Sequence, residues 1–171
     1  MNYHKIEKTS IANGTGVRVV LWCSGCSLHC EECHNPETWD FAGGKPFDDA
    51  AKQELFEALD KPYIKGITFS GGHPLEPQNI NTVNSLISDI KQQLPEKDIW
   101  LYTGFRLTDK HFIDKENHLF NVISQCDIVV DGAFEKDKKD LRLKWRGSTN
   151  QRVIDVKETI KQGKITEIKE S

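Results

Sequence analysis

Three cysteines within one short segment are the residues of this sequence best suited to chemistry. Cys26, Cys30 and Cys33 follow the spacing C-x₃-C-x₂-C. Thiolates select iron–sulfur clusters, zinc or copper(I), and a [4Fe–4S] cube normally takes four of them. Three thiolates leave one iron open, and an open iron can hold a small molecule that brings donor atoms of its own. The spacing therefore favours a [4Fe–4S] cluster that takes part in chemistry over one that only passes electrons.

Cys23 allows two other interpretations of the same segment. With Cys23 included, the four thiols divide into two C-x₂-C pairs, which is also the pattern of a structural zinc site. Zinc sites of that type need roughly 15–20 residues between the two pairs, whereas only Ser27, Leu28 and His29 intervene here. A disulfide framework fits less well, because thiols crowded into one loop of a chain with no sign of secretion are typical of metal binding.

The two remaining cysteines are predicted to be structural. Side chains alternate faces along a strand, so Cys23 would share a face with Val19 and Leu21 and pack as a small hydrophobic residue. Cys126 stands alone before a predicted strand and receives the same interpretation.

The cysteine segment resembles the cluster loop of radical S-adenosylmethionine (SAM) enzymes, in which the open iron chelates the amino and carboxylate groups of SAM. The resemblance implies that Cys26, Cys30 and Cys33 hold a [4Fe–4S] cluster with one open iron and that SAM is the cosubstrate. It also implies that Glu32, Cys33 and His34 contact SAM, with His34 against the adenine. Without the resemblance, His34 is simply a loop residue.

A glycine pair follows the second predicted strand. Gly71 and Gly72 come directly after residues 66–70, where glycines permit either a close approach to a ligand or a tight turn into the next helix. The pair resembles the Gly-Gly-x-Pro motif of radical SAM enzymes, whose backbone helps to hold the SAM amino group. A side chain at Gly72 is therefore expected to weaken SAM binding and to leave the cluster in place. His73 departs from the family pattern, since the x position is commonly acidic.

Alternating strands and helices must position these motifs. Strands are predicted at 17–22, 66–70, 98–104 (a strand with its turn), 127–132 and 151–156. Helices are predicted at 48–59, 77–94 and, in broken form, 109–124, with residues 2–16 irregular. This alternation predicts βαβ units and a parallel sheet with right-handed crossovers. Ligands bind at the C-terminal edge of such sheets, which is where the cysteine segment leaves its strand.

Composition and length limit the classes of protein that this chain can belong to. Of the 171 residues, 37% are hydrophobic and 29% charged, a balance typical of one globular domain, predicted at 1–156 with a charged tail at 157–171. No apolar run approaches the roughly 18–20 residues that span a bilayer. Residues 1–7 show no apolar export signal, so a cytoplasmic protein without membrane contact is expected. The net charge of −3 gives no general attraction to nucleic acid.

The whole chain is similar to a narrower family, the activating proteins of anaerobic ribonucleoside-triphosphate reductase, over about residues 1–155. The motifs that carry this similarity, besides the cysteines, are Asn13-Gly14-x-Gly16, Asn35 with Thr38-Trp39, Gly71-Gly72-x-Pro74-Leu75, Lys97-Asp98-Ile99-Trp100 with Thr103-Gly104, Asp131-Gly132 and Trp145-Arg146-Gly147-Ser148-x-Asn150-Gln151. The cluster loop alone equally resembles the activase of pyruvate formate-lyase. Both families are activases of glycyl-radical enzymes.

This resemblance implies a mechanism and partners. A reduced cluster, charged by a donor such as reduced flavodoxin, would cleave SAM to methionine and a 5′-deoxyadenosyl radical, which removes a hydrogen atom from a glycine of the reductase large subunit. The basic segment 136–146 is a candidate docking surface for that subunit, although such segments are more often solvated loops. The implied fold is an incomplete (β/α) barrel of five or six mostly parallel strands, because a full barrel needs about 250 residues. The alternative from another class is an iron–sulfur electron-transfer protein without SAM chemistry.

Overall fold

The computed structural model describes residues 1–169, which form a seven-stranded mixed sheet and five helices. The strands are β1 (Asn2–Ser10), β2 (Arg18–Cys23), β3 (Lys45–Pro46), β4 (Gly66–Gly71), β5 (Asp98–Tyr102), β6 (Ile128–Asp131) and β7 (Arg152–Asp155). The helices are α1 (Asp49–Leu59), α2 (Ile80–Gln93), α3 (Lys110–Ile113), α4 (Phe120–Ile123) and α5 (Val156–Gln162). No helix in this part of the chain combines the length and the apolar character needed to cross a bilayer.

Parallel strands form the centre of the sheet. The strand order is β3-β1-β2-β4-β5-β6-β7, and β2, β4, β5 and β6 run parallel. The outer strands β1, β3 and β7 are antiparallel to their neighbours. The parallel prediction is therefore right for the central strands and wrong for β7, which returns from β6 without a crossover helix. Strand order does not decide whether the sheet closes partly into a barrel, so that architecture stays a prediction.

Strand β1 replaces the irregular segment predicted for residues 2–16. Its sequence is mostly polar, and only Tyr3 and Ser10 are buried. Backbone pairing with β2 along its length, together with a short pairing to β3, stabilises it as a strand. A strand that buries so few side chains lacks the apolar alternation by which strands are predicted.

The two faces of the central strands have different roles. One face carries Val19, Leu21, Ile67, Phe69, Ile99, Leu101 and Val129, which pack with helix residues of α1, α2, α3 and α4 in the main apolar core. The other face carries Trp22, Ser70 and Tyr102 at the C-terminal ends of β2, β4 and β5. Those three residues line a cavity at this end of the second face.

The segment predicted as a charged tail begins with a well-formed helix. Asp155 accepts a hydrogen bond from the Glu158 amide as the N-cap of α5, and Gly163 ends the helix in the left-handed conformation. Beyond it, the Ile168 amide donates to Val153 O at 2.9 Å, so this segment lies against β7. Glu170 and Ser171, the end of the predicted tail, lie outside the described residues.

Candidate functional site

Residues 24–35, here called the cysteine loop, extend from the C-terminal end of β2. Two backbone hydrogen bonds fix the base of the loop: Gly25 N donates to Thr38 O at 2.7 Å and Cys26 N to Trp39 O at 3.1 Å. Gly25 has φ +99°, and a Cβ there would collide with the Phe41 ring. The positive φ and the lack of space explain why glycine stands directly before the first cysteine of the motif.

The three cysteines differ in exposure. Cys26 is 8% exposed, whereas Cys30 and Cys33 are half-buried. Burial is the main cause that raises the pKa of the Cys26 thiol. Cys33 Sγ lies 3.4 Å from the Asn35 amide, which is placed to donate a hydrogen bond to it. Such hydrogen bonds tune the reduction potential of an iron–sulfur cluster.

The chemistry of the donor set fits an iron–sulfur cluster. Within residues 1–169, no three Cys, His, Asp or Glu side chains form a group around one point that a metal ion could occupy. In a [4Fe–4S] cube each cysteine binds a different iron, so its ligands need not converge on one point. Three soft thiols on one partly exposed loop have the chemistry that such a cube requires.

Cys23 and Cys126 both lie in the main apolar core. Cys23 is fully buried with Val19 and Leu21, on the strand face that the alternation predicted. Burial raises the pKa of Cys23 to about 12. The Cys126 thiol is also buried, and it donates a hydrogen bond to Val122 O at 3.3 Å.

The glycine pair lies against the base of the cysteine loop. The amide of Gly72 donates to Cys23 O and that of His73 to Gly25 O, both at 2.8 Å. A Cβ on Gly72 would lie 2.6 Å from Gly25 O and 2.8 Å from Thr38 O. Gly72 therefore permits contact between two backbone segments of the protein itself, a role that sequence analysis did not identify.

The cavity on the second face of the sheet has a volume of about 400 Å³. Of the residues predicted to contact SAM, Cys33 and His34 line it, and Glu32, Gly71 and Gly72 do not. Its remaining lining residues are partly aromatic and partly polar: Ala12, Asn13, Trp22, Asn35, Ser70, Tyr102, Phe134, Leu143, Trp145, Arg146, Gly147 and Gln151. Sites for small organic ligands combine apolar and aromatic walls with polar groups, and this lining offers both.

Glu32 pairs with a lysine outside the cysteine loop. Lys136 Nζ lies 3.4 Å from Glu32 Oε1 and 3.0 Å from Glu31 Oε1. His34 lies beside Phe134, with 5.3 Å between the ring centroids. Both contacts join the cysteine loop to the segment that connects β6 with β7.

That connecting segment, residues 132–151, is here called the strap, because it supplies six of the residues around the cavity. Gln151 holds its two ends together: its side-chain oxygen accepts from the Gly147 and Ser148 amides at 2.9 and 3.1 Å, and its nitrogen donates to Gly132 O at 2.9 Å. Tyr102 O–H donates to Trp145 O at 2.5 Å, which fixes the strap to the end of β5.

Sequence reasoning missed most of this cavity. Trp22, Ser70 and Tyr102 each stand at or near the C-terminal end of a predicted strand. Ligands bind at that edge of a parallel sheet, so these positions could have been predicted to lie at the site. Four strap residues, Trp145, Arg146, Gly147 and Gln151, belong to a motif of the family resemblance. The motif did not place them at the cavity, because their contacts depend on how a long loop folds back over the sheet.

Comparison with known proteins identifies the family. A family model described as a 4Fe-4S single cluster domain matches residues 12–154. A protein of Enterobacteria phage T4 is 40% identical over 153 residues, which are 90% of this chain and 93% of that protein. Proteins of Haemophilus influenzae and Escherichia coli K12 are 38% and 39% identical, each over 88% of this chain and 96% of their own length. All three carry the name anaerobic ribonucleoside-triphosphate reductase-activating protein. The chain therefore belongs to the 4Fe-4S single cluster domain family and, within it, to the activating proteins of anaerobic ribonucleoside-triphosphate reductase.

Proposed function

We propose that this protein activates an anaerobic (class III) ribonucleoside-triphosphate reductase by generating a glycyl radical on its large subunit. The radical would come from reductive cleavage of SAM at a [4Fe–4S] cluster held by Cys26, Cys30 and Cys33. One observation carries the proposal: the loop with these three thiols borders a cavity of about 400 Å³, and Cys33 and His34 belong to both. A cofactor in the cavity would therefore lie next to the cluster.

The residues around the cavity suit a nucleoside. His34, Phe134 and Trp145 offer aromatic surface for an adenine, and Asn13 and Ser70 offer hydrogen-bonding groups for a ribose. When bound, the reduced cluster and SAM would supply a 5′-deoxyadenosyl radical, with methionine released. The protein's part is to bind and orient both groups and to exclude water from them.

The partner and the electron donor follow from the family. The relatives are named for the reductase that they activate, which supports the same partner for this chain. A glycine loop of the large subunit would be the substrate, and reduced flavodoxin or a similar protein in the cytoplasm would supply the electron. An incomplete barrel, open on one side, would let that loop approach the cavity.

Cleavage of SAM is the direct test of this function. The full chain, reconstituted anaerobically with iron and sulfide and then reduced, is expected to convert SAM to methionine and 5′-deoxyadenosine. Cys33→Ala should abolish the conversion, and Cys23→Ala should retain it. An intact, reducible cluster that leaves SAM unchanged would contradict the proposal and favour an electron-transfer protein.

A further inference from the structure

A buried chain of hydrogen bonds joins the ends of three neighbouring strands. His73, which follows β4, is 1% exposed, and its Nε2 lies 2.7 Å from Thr103 Oγ1, just after β5. Its Nδ1 lies 3.2 Å from Glu76 Oε1. The same carboxylate oxygen accepts hydrogen bonds from Ser27 N at 2.8 Å and Ser27 Oγ at 2.6 Å, in the cysteine loop after β2.

The geometry of this chain selects the neutral form of His73. With the proton on Nδ1, His73 donates to Glu76 and its Nε2 accepts from the Thr103 hydroxyl, while Thr103 Oγ1 accepts from the Phe105 amide. A doubly protonated ring would take away the acceptor that the Thr103 hydroxyl uses. Burial, which lowers the pKa of His73, acts in the same direction.

Glu76 is consequently a buried anion without a cation in this hydrogen-bond chain. It is 4% exposed. Burial by itself would raise its pKa, but the hydrogen bonds from Ser27 and His73 stabilise the carboxylate enough to leave the pKa below its usual value.

The charge acts on the first cysteine of the motif. Ser27, which donates twice to Glu76, is the residue next to Cys26 in the chain. The Glu76 carboxylate oxygen lies 2.8 Å from Ser27 N, the backbone nitrogen that follows Cys26. A fixed negative charge near a cluster disfavours an added electron, because reduction makes the cluster more negative.

We propose that Glu76 is a positioning residue that fixes the cysteine loop through Ser27 and, as a fixed negative charge beside Cys26, lowers the reduction potential of the cluster. His73 and Thr103 hold the carboxylate in place. The inference rests on the proposed cluster at Cys26, Cys30 and Cys33 and needs neither SAM nor the reductase. A lower potential makes the reduced cluster a stronger reductant, which the cleavage of a sulfonium demands.

The test is a redox titration of the anaerobically reconstituted full chain, followed by electron paramagnetic resonance, with iron and sulfide counted per chain. Glu76→Gln is expected to shift the midpoint potential to more positive values, because it removes the charge from a side chain of nearly the same shape. Ser27→Ala removes one hydrogen bond and leaves the charge, so its midpoint should stay at the wild-type value. Glu57→Gln, an exposed carboxylate of α1, is the matched control.

Each outcome decides the inference. An intact cluster with a wild-type midpoint in Glu76→Gln would overturn it, as would an equal shift in Ser27→Ala. If Glu76→Gln fails to hold a cluster, Glu76→Asp keeps the charge, and a cluster with a wild-type midpoint there would support the inference. Loss of the cluster in both variants would overturn it, since Glu76 would then be required to assemble the loop and not to set the potential of an assembled cluster. A wild-type chain that binds no cluster would contradict the proposed function instead.

Discussion

At the scale of single residues, the sequence predicted which side chains could do chemistry, but it did not predict what holds them. The spacing of Cys26, Cys30 and Cys33 was sufficient to propose a cluster. The role of Glu76 was hidden, because a glutamate three residues after His73 has no distinctive pattern until the fold brings Ser27 to it. Contacts between distant segments of this kind depend on tertiary structure and not on local sequence.

Single alanine substitutions should distinguish the three proposed cluster ligands from the structural Cys23. Alanine at Cys26, Cys30 or Cys33 is expected to abolish cluster assembly, because the loop carries no spare thiol at compatible spacing. Cys23→Ala should keep the iron content and the cluster spectrum and lose only about 1 kcal/mol of stability through the small cavity it creates. Iron and sulfide analysis with visible spectroscopy measures both outcomes. Loss of the cluster in Cys23→Ala would revive the four-thiolate interpretation.

Gly72→Ala is expected to impair the cluster itself. The added Cβ would lie 2.6 Å from Gly25 O, which is backbone and cannot move without moving Cys26. The structure therefore changes the sequence-based expectation that a side chain here would affect SAM binding alone. Iron content after reconstitution should fall, together with SAM binding. Gly163→Ala, where a Cβ meets nothing within 4 Å, should retain a full cluster; an intact cluster in Gly72→Ala would contradict this account.

At the scale of elements, the apolar strands were predictable and the polar ones were not. Strands β2 and β5 are buried on both faces and show as runs of large apolar residues in the sequence. Strand β4 is also buried, but it alternates Ile67 and Phe69 with smaller residues. Strand β1 forms through backbone pairing with its neighbours, so the pattern of its side chains does not indicate a strand. The strap likewise has a polar, basic composition that is typical of a solvated loop, although six of its residues line the cavity.

The strap should be loosened by Gln151→Ala. The substitution removes the side-chain oxygen that accepts two amide hydrogen bonds and the side-chain nitrogen that donates one. Each lost bond should cost about 1 kcal/mol of stability. We expect SAM to bind several-fold more weakly while the iron content stays at the wild-type level, because the cysteine loop is fixed by other contacts. Gln53→Ala, an exposed side chain of α1, is the matched control. Wild-type SAM affinity in Gln151→Ala would remove the strap from the binding site.

At the scale of the whole molecule, the two ends of the sheet have separate tasks. The C-terminal ends of the parallel strands carry the cysteine loop, the glycine pair and the cavity. Near the opposite end, the fully buried Arg18 lies 2.6 Å from Asp98 Oδ1 and donates to Thr68 Oγ1 and Ile67 O at 2.9 and 2.8 Å. This ion pair connects β2, β4 and β5 near the end of the sheet opposite the cysteine loop. The separate motifs in the sequence did not reveal this connection.

Asp98→Asn should therefore lower stability without changing the cluster. The substitution leaves the guanidinium of Arg18 buried without its carboxylate, which costs about 3 kcal/mol, the lower end of the range for buried pairs. Urea unfolding should detect the loss. Asp89→Asn breaks the partly exposed pair with Lys52 and should cost less than about 1 kcal/mol. Equal losses in the two variants would contradict a special role for the Arg18 pair.

The central claim is that this protein installs a glycyl radical on an anaerobic ribonucleoside-triphosphate reductase. The most direct measurement mixes the reduced, cluster-loaded protein and SAM anaerobically with the large subunit of that reductase or, in parallel, with pyruvate formate-lyase, and records electron paramagnetic resonance spectra. We predict a glycyl radical on the reductase, none on formate-lyase, and none on either when Cys33→Ala replaces the wild type. A radical on formate-lyase alone, or on neither enzyme in the presence of an intact cluster, would contradict the claim.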